Sequence, residues 1–391
     1  MQYELIATTA FGLESVVNRE LKRLGYEDLK NENGRVIFKG DNEAICRANL
    51  WLRSADRILV KIGQFRALSF EELFERTKAL SWADWIPKDG CFPVSGKSVR
   101  SKLFSVSDCQ AIVEKLKQNY RTEWFPGTGP LYPVTVSLVK DEATLTIDTS
   151  GTSLHKRGYR KFTAEAPIRE TLAAALVQLS RWHPDRPLID PFCGSGTIPI
   201  EAALIGRNIA PGIRRSFAAE QWINLISPQM WALVREEALD SMKKDSDLYI
   251  LGTDIDKEVL SLARYHAKQA QVDVSIHFQQ MPVNEIRSSK EYGYIVCNPP
   301  YGERLGEKRE AESLYRNMGN VFRNLDTWSY FIFTSHHDFE RYFGKRATKK
   351  RKLYNGRLEC NYFMYLGPKP PWVGTKAREE YHSSGGFLAN E

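Results

Sequence analysis

The stretch Leu188-Ile-Asp190-Pro-Phe-Cys-Gly194-Ser-Gly196-Thr197 runs from an apolar strand into a turn with two glycines, and an apolar helix begins near Ile198. Strand, glycine turn and helix in that order predict the carboxyl edge of a doubly wound α/β sheet, where ligands bind and glycine lets them approach the backbone. The turn lacks the Lys-Ser/Thr of a phosphate-binding loop, and Pro199 stands where a dinucleotide fingerprint requires its third glycine. ATP and NAD are disfavoured on those grounds. An acid at the strand end, Asp190, suits instead a ligand with a cationic ammonium group, as in S-adenosylmethionine. The alternative is an ordinary strand-to-helix turn.

Outward from this loop, the chain after Arg160 alternates strands with long helices, the pattern of a parallel sheet. Strands are expected at residues 188–190, 248–253, 274–278, 294–297 and 330–334, with a closing pair at 352–354 and 358–365. The second strand ends in Thr253-Asp-Ile-Asp256, which places Asp254, with Ile255 beside it, to accept from both ribose hydroxyls of a nucleoside. Asp254 lies 64 residues after Asp190, against the usual roughly 20. An insertion is therefore expected between residues 207 and 247. Asp256 reads as the N-cap of a helix running to about Ala270. After the third strand, Gln280 is the nearest polar side chain for an adenine amino group, with a plain surface glutamine as its alternative. Phe192, Cys193, Gly194, Ser195, Gly196 and Thr197 of the loop complete the cofactor candidates.

Tyr294-Ile-Val-Cys297 reads as a buried strand that runs into Asn298-Pro299-Pro300-Tyr301-Gly302, again at the carboxyl edge. Consecutive prolines fix an extended turn and set the directions of the groups around Asn298. The exocyclic amino nitrogen of a base is a poor nucleophile because its lone pair is delocalised into the ring. Its methylation needs two acceptors that hold both N–H groups as the nitrogen pyramidalises, and Asn298 Oδ1 with the Pro299 carbonyl supplies them as preorganised dipoles. A sulfonium methyl is already electrophilic, so alignment matters more than a strong base. Tyr301 is expected to stack on the target base, recovering about 1 to 3 kcal/mol of the cost of flipping it out. Asn298, Pro299, Pro300 and Tyr301 are the catalytic candidates; for this motif alone the alternative is a rigid proline turn.

Residues 1 to 155 follow a different grammar. Strands at 3–8, 35–38, 57–65 and 92–101 accompany helices at 12–24 and 42–52 and a helix opened by Ser69 and Glu72 as a capping box. A helix from Ser107 or Asp108 to Tyr120 and a hairpin of 134–139 with 144–148, turning at Asp141-Glu142, complete an α+β region. Residues 367–391, with three prolines and a Gly385-Gly386 pair, read as a loosely attached tail. The 391 residues carry a formal net charge of +7, which permits an acidic partner without identifying one. Six basic residues and no acid fall within 345–352, and six basic against two acidic within 97–121; either patch suits phosphates or solvent. Six cysteines without a C-x-x-C pair or a histidine at ligand spacing predict neither a metal nor a disulfide. An acid at Glu4 and the lack of a long apolar run predict a cytoplasmic protein with no membrane span.

The loop at 190–197 and the N-P-P-Y motif at 298–301 resemble the amino-methyltransferases of the Rossmann-like class. More narrowly, the chain is similar to the RlmL-type THUMP-domain RNA guanine-N2 methyltransferases. The likeness extends to Leu154-His-Lys-Arg-Gly-Tyr-Arg160, Ala166-Pro-Ile-Arg-Glu-Thr-Leu172 and Leu353-Tyr-Asn-Gly-Arg-Leu-Glu-Cys360. The resemblance implies a ferredoxin-like portion over residues 1–43, a THUMP RNA-binding domain over 44–155 and a Rossmann-like class I methyltransferase domain over 160–366, which the tail at 367–391 follows. It carries cofactor contacts onto Asp190, Phe192, Gly194 and Asp254, with the helix start Arg169-Glu170-Thr171 nearby, and catalysis onto Asn298 to Tyr301. The chain departs from the family where an aspartate often follows the third strand and Gln280 stands here. With one methyltransferase domain, the second activity of fused relatives is not expected. Lys156, Arg157 and Arg160 beside Tyr159 are candidates for holding RNA at the entrance to the site, or for a linker paired with nearby acids.

The expected activity is formation of N2-methylguanosine in RNA, 23S rRNA before tRNA. Competing readings are a DNA adenine-N6 methyltransferase, a protein-glutamine methyltransferase, and an RNA-binding assembly protein without catalysis. The first 155 residues resemble neither the base-reading domain of a DNA enzyme nor the short helical domain of a glutamine methyltransferase.

Overall fold

A computed structural model describes residues 2–103, 128–160, 168–243, 247–302 and 307–371. The expected helix at 107–120 and most of the expected tail lie outside the described residues. The chain forms two compact units, one of residues 1–158 with 208–242, the other of 159–207 with 243–391.

The first unit is built on one seven-stranded sheet. Its elements are β1 (Tyr3–Thr8), α1 (Glu14–Arg23), β2 (Lys30–Glu32), β3 (Arg35–Gly40), α2 (Asn42–Trp51), β4 (Arg57–Arg66), α3 (Phe70–Lys78), β5 (Val94–Val99), β6 (Val134–Val139) and β7 (Glu142–Asp148). The strand order is β2-β3-β1-β4-β7-β6-β5. Central β4 pairs with β1 on one side and β7 on the other, and only β5 and β6 run parallel. Ser69 caps α3 by accepting from the Glu72 amide at 3.2 Å, while the Glu72 carboxylate accepts from Leu68. The β6–β7 turn is Lys140-Asp141, one residue before the expected position. Both residues have positive φ (53° and 63°), the geometry that suits a two-residue hairpin between right-twisted strands.

The second unit contains α4 (Glu170–Ser180), β8 (Leu188–Asp190) and α5 (Thr197–Gly206). The chain then leaves for residues 208–242, which carry α6 (Pro228–Asp240), and returns at β9 (Ile250–Asp254) and α7 (Lys257–Ala270). There follow β10 (Ile276–Gln280), β11 (Tyr294–Cys297), α8 (Glu307–Phe322), β12 (Ser329–Thr334), α9 (Phe339–Phe343), β13 (Lys349–Asn355) and β14 (Leu358–Tyr365). The expected third strand begins two residues later than the sequence suggests, because Asp273–Ser275 form a 3-10 turn. The sheet order is β10-β9-β8-β11-β12-β14-β13, with β14 antiparallel to both neighbours. This is the Rossmann-like arrangement expected from the motifs. Strand order reverses between β8 and β11, so the loops after them meet where open sheets bind ligands. Helix α5 is buried nearly all round, which explains its run of apolar and small residues, interrupted after Thr197 by Glu201 alone. Pro199 is tolerated because it lies in the first turn, where amides have no intrahelical partner.

The insertion completes the core of the first unit. Phe217, Trp222, Ile226, Trp231, Val234 and Ala238 are buried there. Trp222 stacks on Tyr132 at 4.8 Å and its indole N–H donates to the Leu131 carbonyl at 2.9 Å. Backbone amides of Gly212 and Ala219 donate to Leu50 and Thr149, and Arg47 pairs with Glu237 at 2.5 Å. Neither α6 nor the short strand β2 was foreseen from the sequence. No helix among the described residues is long and apolar enough to cross a membrane.

Candidate active site

The glycine turn is held in shape by the ends of β8 and β9. The Phe192 amide donates to Asp190 Oδ1 at 3.1 Å, the Cys193 amide to the Thr253 carbonyl at 3.0 Å, and the Gly194 amide to Asp254 Oδ2 at 3.0 Å. Asp254 Oδ1 accepts from the Asp256 amide, and Asp256 caps α7 as expected. Gly194 has φ +50° and open space where a Cβ would stand, so its backbone faces the cavity bare. Gly196 has φ +85°, and a Cβ there would lie 3.1 Å from Ala263 and 3.2 Å from Phe278. One glycine opens the turn and the other lets α5 approach its neighbours. Asp190 is 1% exposed, and burial pushes its carboxyl well above the usual range; the Phe192 amide opposes this and the Asp254 charge adds to it. Burial also raises the Cys193 and Cys297 thiols well above their ordinary value, so both stay protonated.

A cavity of about 960 Å³ lies over this edge. It is lined by Asp190, Phe192, Cys193, Gly194, Ser195, Thr197, Asp254 and Ile255 from the first two loops, and by Asn298, Pro299, Pro300 and Tyr301 from the loop after β11. The fold thus brings both motifs into one space. Ile255 is 71% exposed, an apolar side chain left at the cavity rim. The proline turn is braced from beneath: the Tyr315 hydroxyl donates to the Pro300 carbonyl at 2.6 Å and lies 3.3 Å from Thr334 Oγ1. Tyr301 differs from an open stacking platform. Its hydroxyl donates to Asn298 Oδ1 at 2.5 Å, and its ring lies edge-on to Phe333. Burial drives its phenol well above the ordinary value.

Several sequence candidates stand elsewhere. Gln280 does not line the cavity: its amide donates to the Ile255 carbonyl at 2.9 Å, because β10 ends there and the chain turns away. The polar group beyond β10 that lines it is Asn284, four residues later in the 3-10 turn Val283–Glu285. Gly196 is packed beneath the turn, and Arg169, Glu170 and Thr171 are absent from the lining, where Ile168 takes their place. Arg157, Tyr159 and Arg160 are corrected as RNA contacts. Arg157 is 3% exposed and donates to the Leu154 and Arg53 carbonyls. Tyr159 is 3% exposed and donates to Glu201 at 3.2 Å. Arg160 joins Thr197 Oγ1 (2.5 Å), the Ile168 carbonyl and Glu170, tying the start of α4 to the glycine turn. A guanidinium so enclosed by acceptors is a brace, and only Lys156 of the four is exposed. Asn317, Asn355 and Leu358 also line the cavity and were not foreseen, although Asn355 and Leu358 belong to a segment that carried the family likeness. Among the described residues no group of three His, Cys, Asp or Glu converges as a metal site.

Comparison with known proteins agrees with this geometry. Residues 157–363 match the RMKL-like methyltransferase domain, residues 4–59 the RlmL ferredoxin-like domain, and residues 67–148 the THUMP domain. YpsC of Bacillus subtilis, named as a candidate RNA methyltransferase, is 53% identical over 95% of this chain and 97% of its own. Ribosomal RNA large subunit methyltransferase K/L of Syntrophotalea carbinolica is 31% identical over 98% of this chain, which spans 56% of that protein. Among solved structures, one from Listeria monocytogenes, named as a candidate N6-adenine-specific DNA methylase, is 52% identical with a TM-score of 0.89, covering 94% of this chain and 97% of that one. SMU.472, solved in complex with SAH, is 44% identical with a TM-score of 0.89, covering 94% and 99%. With the fold, the paired loops and these matches in agreement, the chain belongs to the RMKL-like methyltransferase family and carries that family's ferredoxin-like and THUMP domains.

Proposed function

We propose that this protein methylates the exocyclic amino group of a base in RNA, using S-adenosylmethionine, and that the product is N2-methylguanosine in 23S rRNA. The observation that carries the reading is the single cavity lined by the 190–197 loop, Asp254 and Asn298–Tyr301. The THUMP match and the names of YpsC and of the K/L enzyme support RNA, and the K/L name supports the large ribosomal subunit.

The residues present fit the cofactor. Asp190 would offer a carboxylate to its ammonium group, the bare backbone of Gly194 would permit close approach, Asp254 would accept from the ribose hydroxyls, and Ile255 would pack on the face of the adenine ring. Asn284 replaces Gln280 as the candidate for the adenine amino group. When bound, the cofactor supplies an electrophilic methyl on a cationic sulfonium. Asn298 Oδ1 and the Pro299 carbonyl then hold the two N–H groups of the target amine and stabilise the positive charge that grows on its nitrogen. An incoming amine replaces the Tyr301 hydroxyl at Asn298 Oδ1, while Tyr315 keeps the Pro300 carbonyl and hence the turn in place. The surplus proton leaves to solvent after transfer.

Asn298→Ala removes one of two aligned acceptors, so the transfer rate should fall by about a hundredfold or more. Affinity for S-adenosylmethionine, read by calorimetry, should be almost unchanged. Full turnover in that variant would show that the chemistry lies elsewhere. Mass spectrometry of nucleosides from cells lacking the protein should show N2-methylguanosine lost from 23S rRNA; loss from tRNA alone would move the target. A second reading, adenine N6 in DNA, is favoured by the name of the Listeria structure, and loss of N6-methyladenine from DNA would establish it instead.

A further inference from the structure

Between residues 345 and 357 the chain holds seven cations and no acid, a charge equal to the formal excess of all 391 residues. These residues lead into, form and follow β13, which among the described residues is the outer strand of its sheet and pairs only with β14. An edge strand needs a charge or two to discourage pairing with another chain. Seven of one sign exceed that need and repel one another, so the segment is built for an anionic surface.

The hairpin also reaches the cavity. Asn355 at the end of β13 and Leu358 at the start of β14 line it, together with Tyr301. From that tip, β13 extends for seven residues, roughly 20 Å of strand at about 3.3 Å per residue. Lys349, Lys350 and Lys352 are exposed along it, and Lys345, Arg346 and Arg357 are exposed on its flanks. Lys350 pairs with Glu340, whose side chain is 21% exposed, and Lys352 pairs with Glu359 at 2.7 Å in an open surface pair that is weak. Lys345, Lys349 and Arg357 make no ion pair among the described residues. A half-buried Tyr354 stands among the cations.

Resting on the RNA reading above, we infer that the β13–β14 hairpin is a binding track for the RNA backbone flanking the target nucleotide. Its cations take successive phosphates while Asn355 and Leu358 border the space that receives the base. The track lies on the catalytic unit itself, so it holds the strand beside the reaction independently of the N-terminal domains. Association through phosphates releases counterions, and binding to a single strand weakens with salt by a log–log slope of about 0.7 per phosphate neutralised.

The test compares wild-type protein with Lys345→Gln/Lys349→Gln/Arg357→Gln, three exposed positions, and with a matched triple at Lys243, Lys268 and Lys369. A short fluorescein-labelled single-stranded RNA reports affinity across salt concentrations. Total RNA from cells lacking the protein, with a tritiated methyl donor, reports kcat and KM. The hairpin triple should reduce the salt slope by about 2 and raise KM for RNA on the order of tenfold, leaving kcat and S-adenosylmethionine affinity unchanged. The matched triple should do neither. Equal effects from both triples, or an unchanged slope and KM in the hairpin triple, overturn the track while leaving the RNA reading intact. If wild-type protein transfers no methyl to total RNA, the RNA reading falls and the track falls with it.

Discussion

Asp190 has almost no water around it, and its raised carboxyl pKa turns that burial into a measurable property. Since its folded value lies above its unfolded one, the folded chain holds this proton more tightly. The stabilisation is complete below the unfolded pKa and is lost as pH rises through the folded value. A cation placed beside the carboxylate reverses the preference, so S-adenosylmethionine should bind more tightly as pH rises through that titration. Calorimetry in buffers of different ionisation enthalpy should detect proton release on binding to the wild type and none with Asp190→Asn. Equal proton release from both proteins would show that Asp190 does not face the ammonium group. The residue was legible as an acid at a strand end; its burial was not, because that depends on the loops and strands which close over it.

At the scale of elements, the turn between β8 and α5 uses its two glycines differently. Gly194→Ala adds a methyl into open cavity at positive φ, where the left-handed backbone costs about 1–2 kcal/mol. It should lose cofactor affinity with a modest fall in stability. Gly196→Ala meets Ala263 and Phe278 at 3.1 and 3.2 Å in addition to its own backbone strain, so its stability loss should be the larger. Chemical denaturation and cofactor titration of the two variants check the ordering, and a larger stability loss at Gly194 would refute it. The turn was readable because glycine spacing and the apolar strand before it are local. The failure at Gln280 has a local cause too: β10 runs two residues past its expected end, and the turn after it presents Asn284 to the cavity. Arg157, Tyr159 and Arg160 misled for the opposite reason. Basic and aromatic residues in a short run suit nucleic acid and buried bracing alike, and only the carbonyls and carboxylates gathered around them decide.

For the whole molecule, the informative feature is the insertion between α5 and β9, which belongs to the first unit although it is flanked in sequence by the second. Trp222 is fully buried there, so Trp222→Ala should cost the first unit about 3–5 kcal/mol. Hydrogen exchange should show protection lost across β4, β6 and β7, with the β8–β12 strands unaffected; uniform loss over both units would contradict this division. The sequence by itself determined the Rossmann-like class of the sheet and where its strands fall along the chain, the two loops at its carboxyl edge, the capped helices and the family. These follow from local periodicity and from short motifs whose chemistry is contained in neighbouring residues. Only the tertiary structure decided that the insertion completes the N-terminal core, that Tyr301 holds Asn298 and Tyr315 holds Pro300, and that the hairpin carrying the 345–357 cations reaches the cavity through Asn355 and Leu358. Each of those joins residues far apart in the chain or depends on which way a side chain turns, and local spacing carries no record of either.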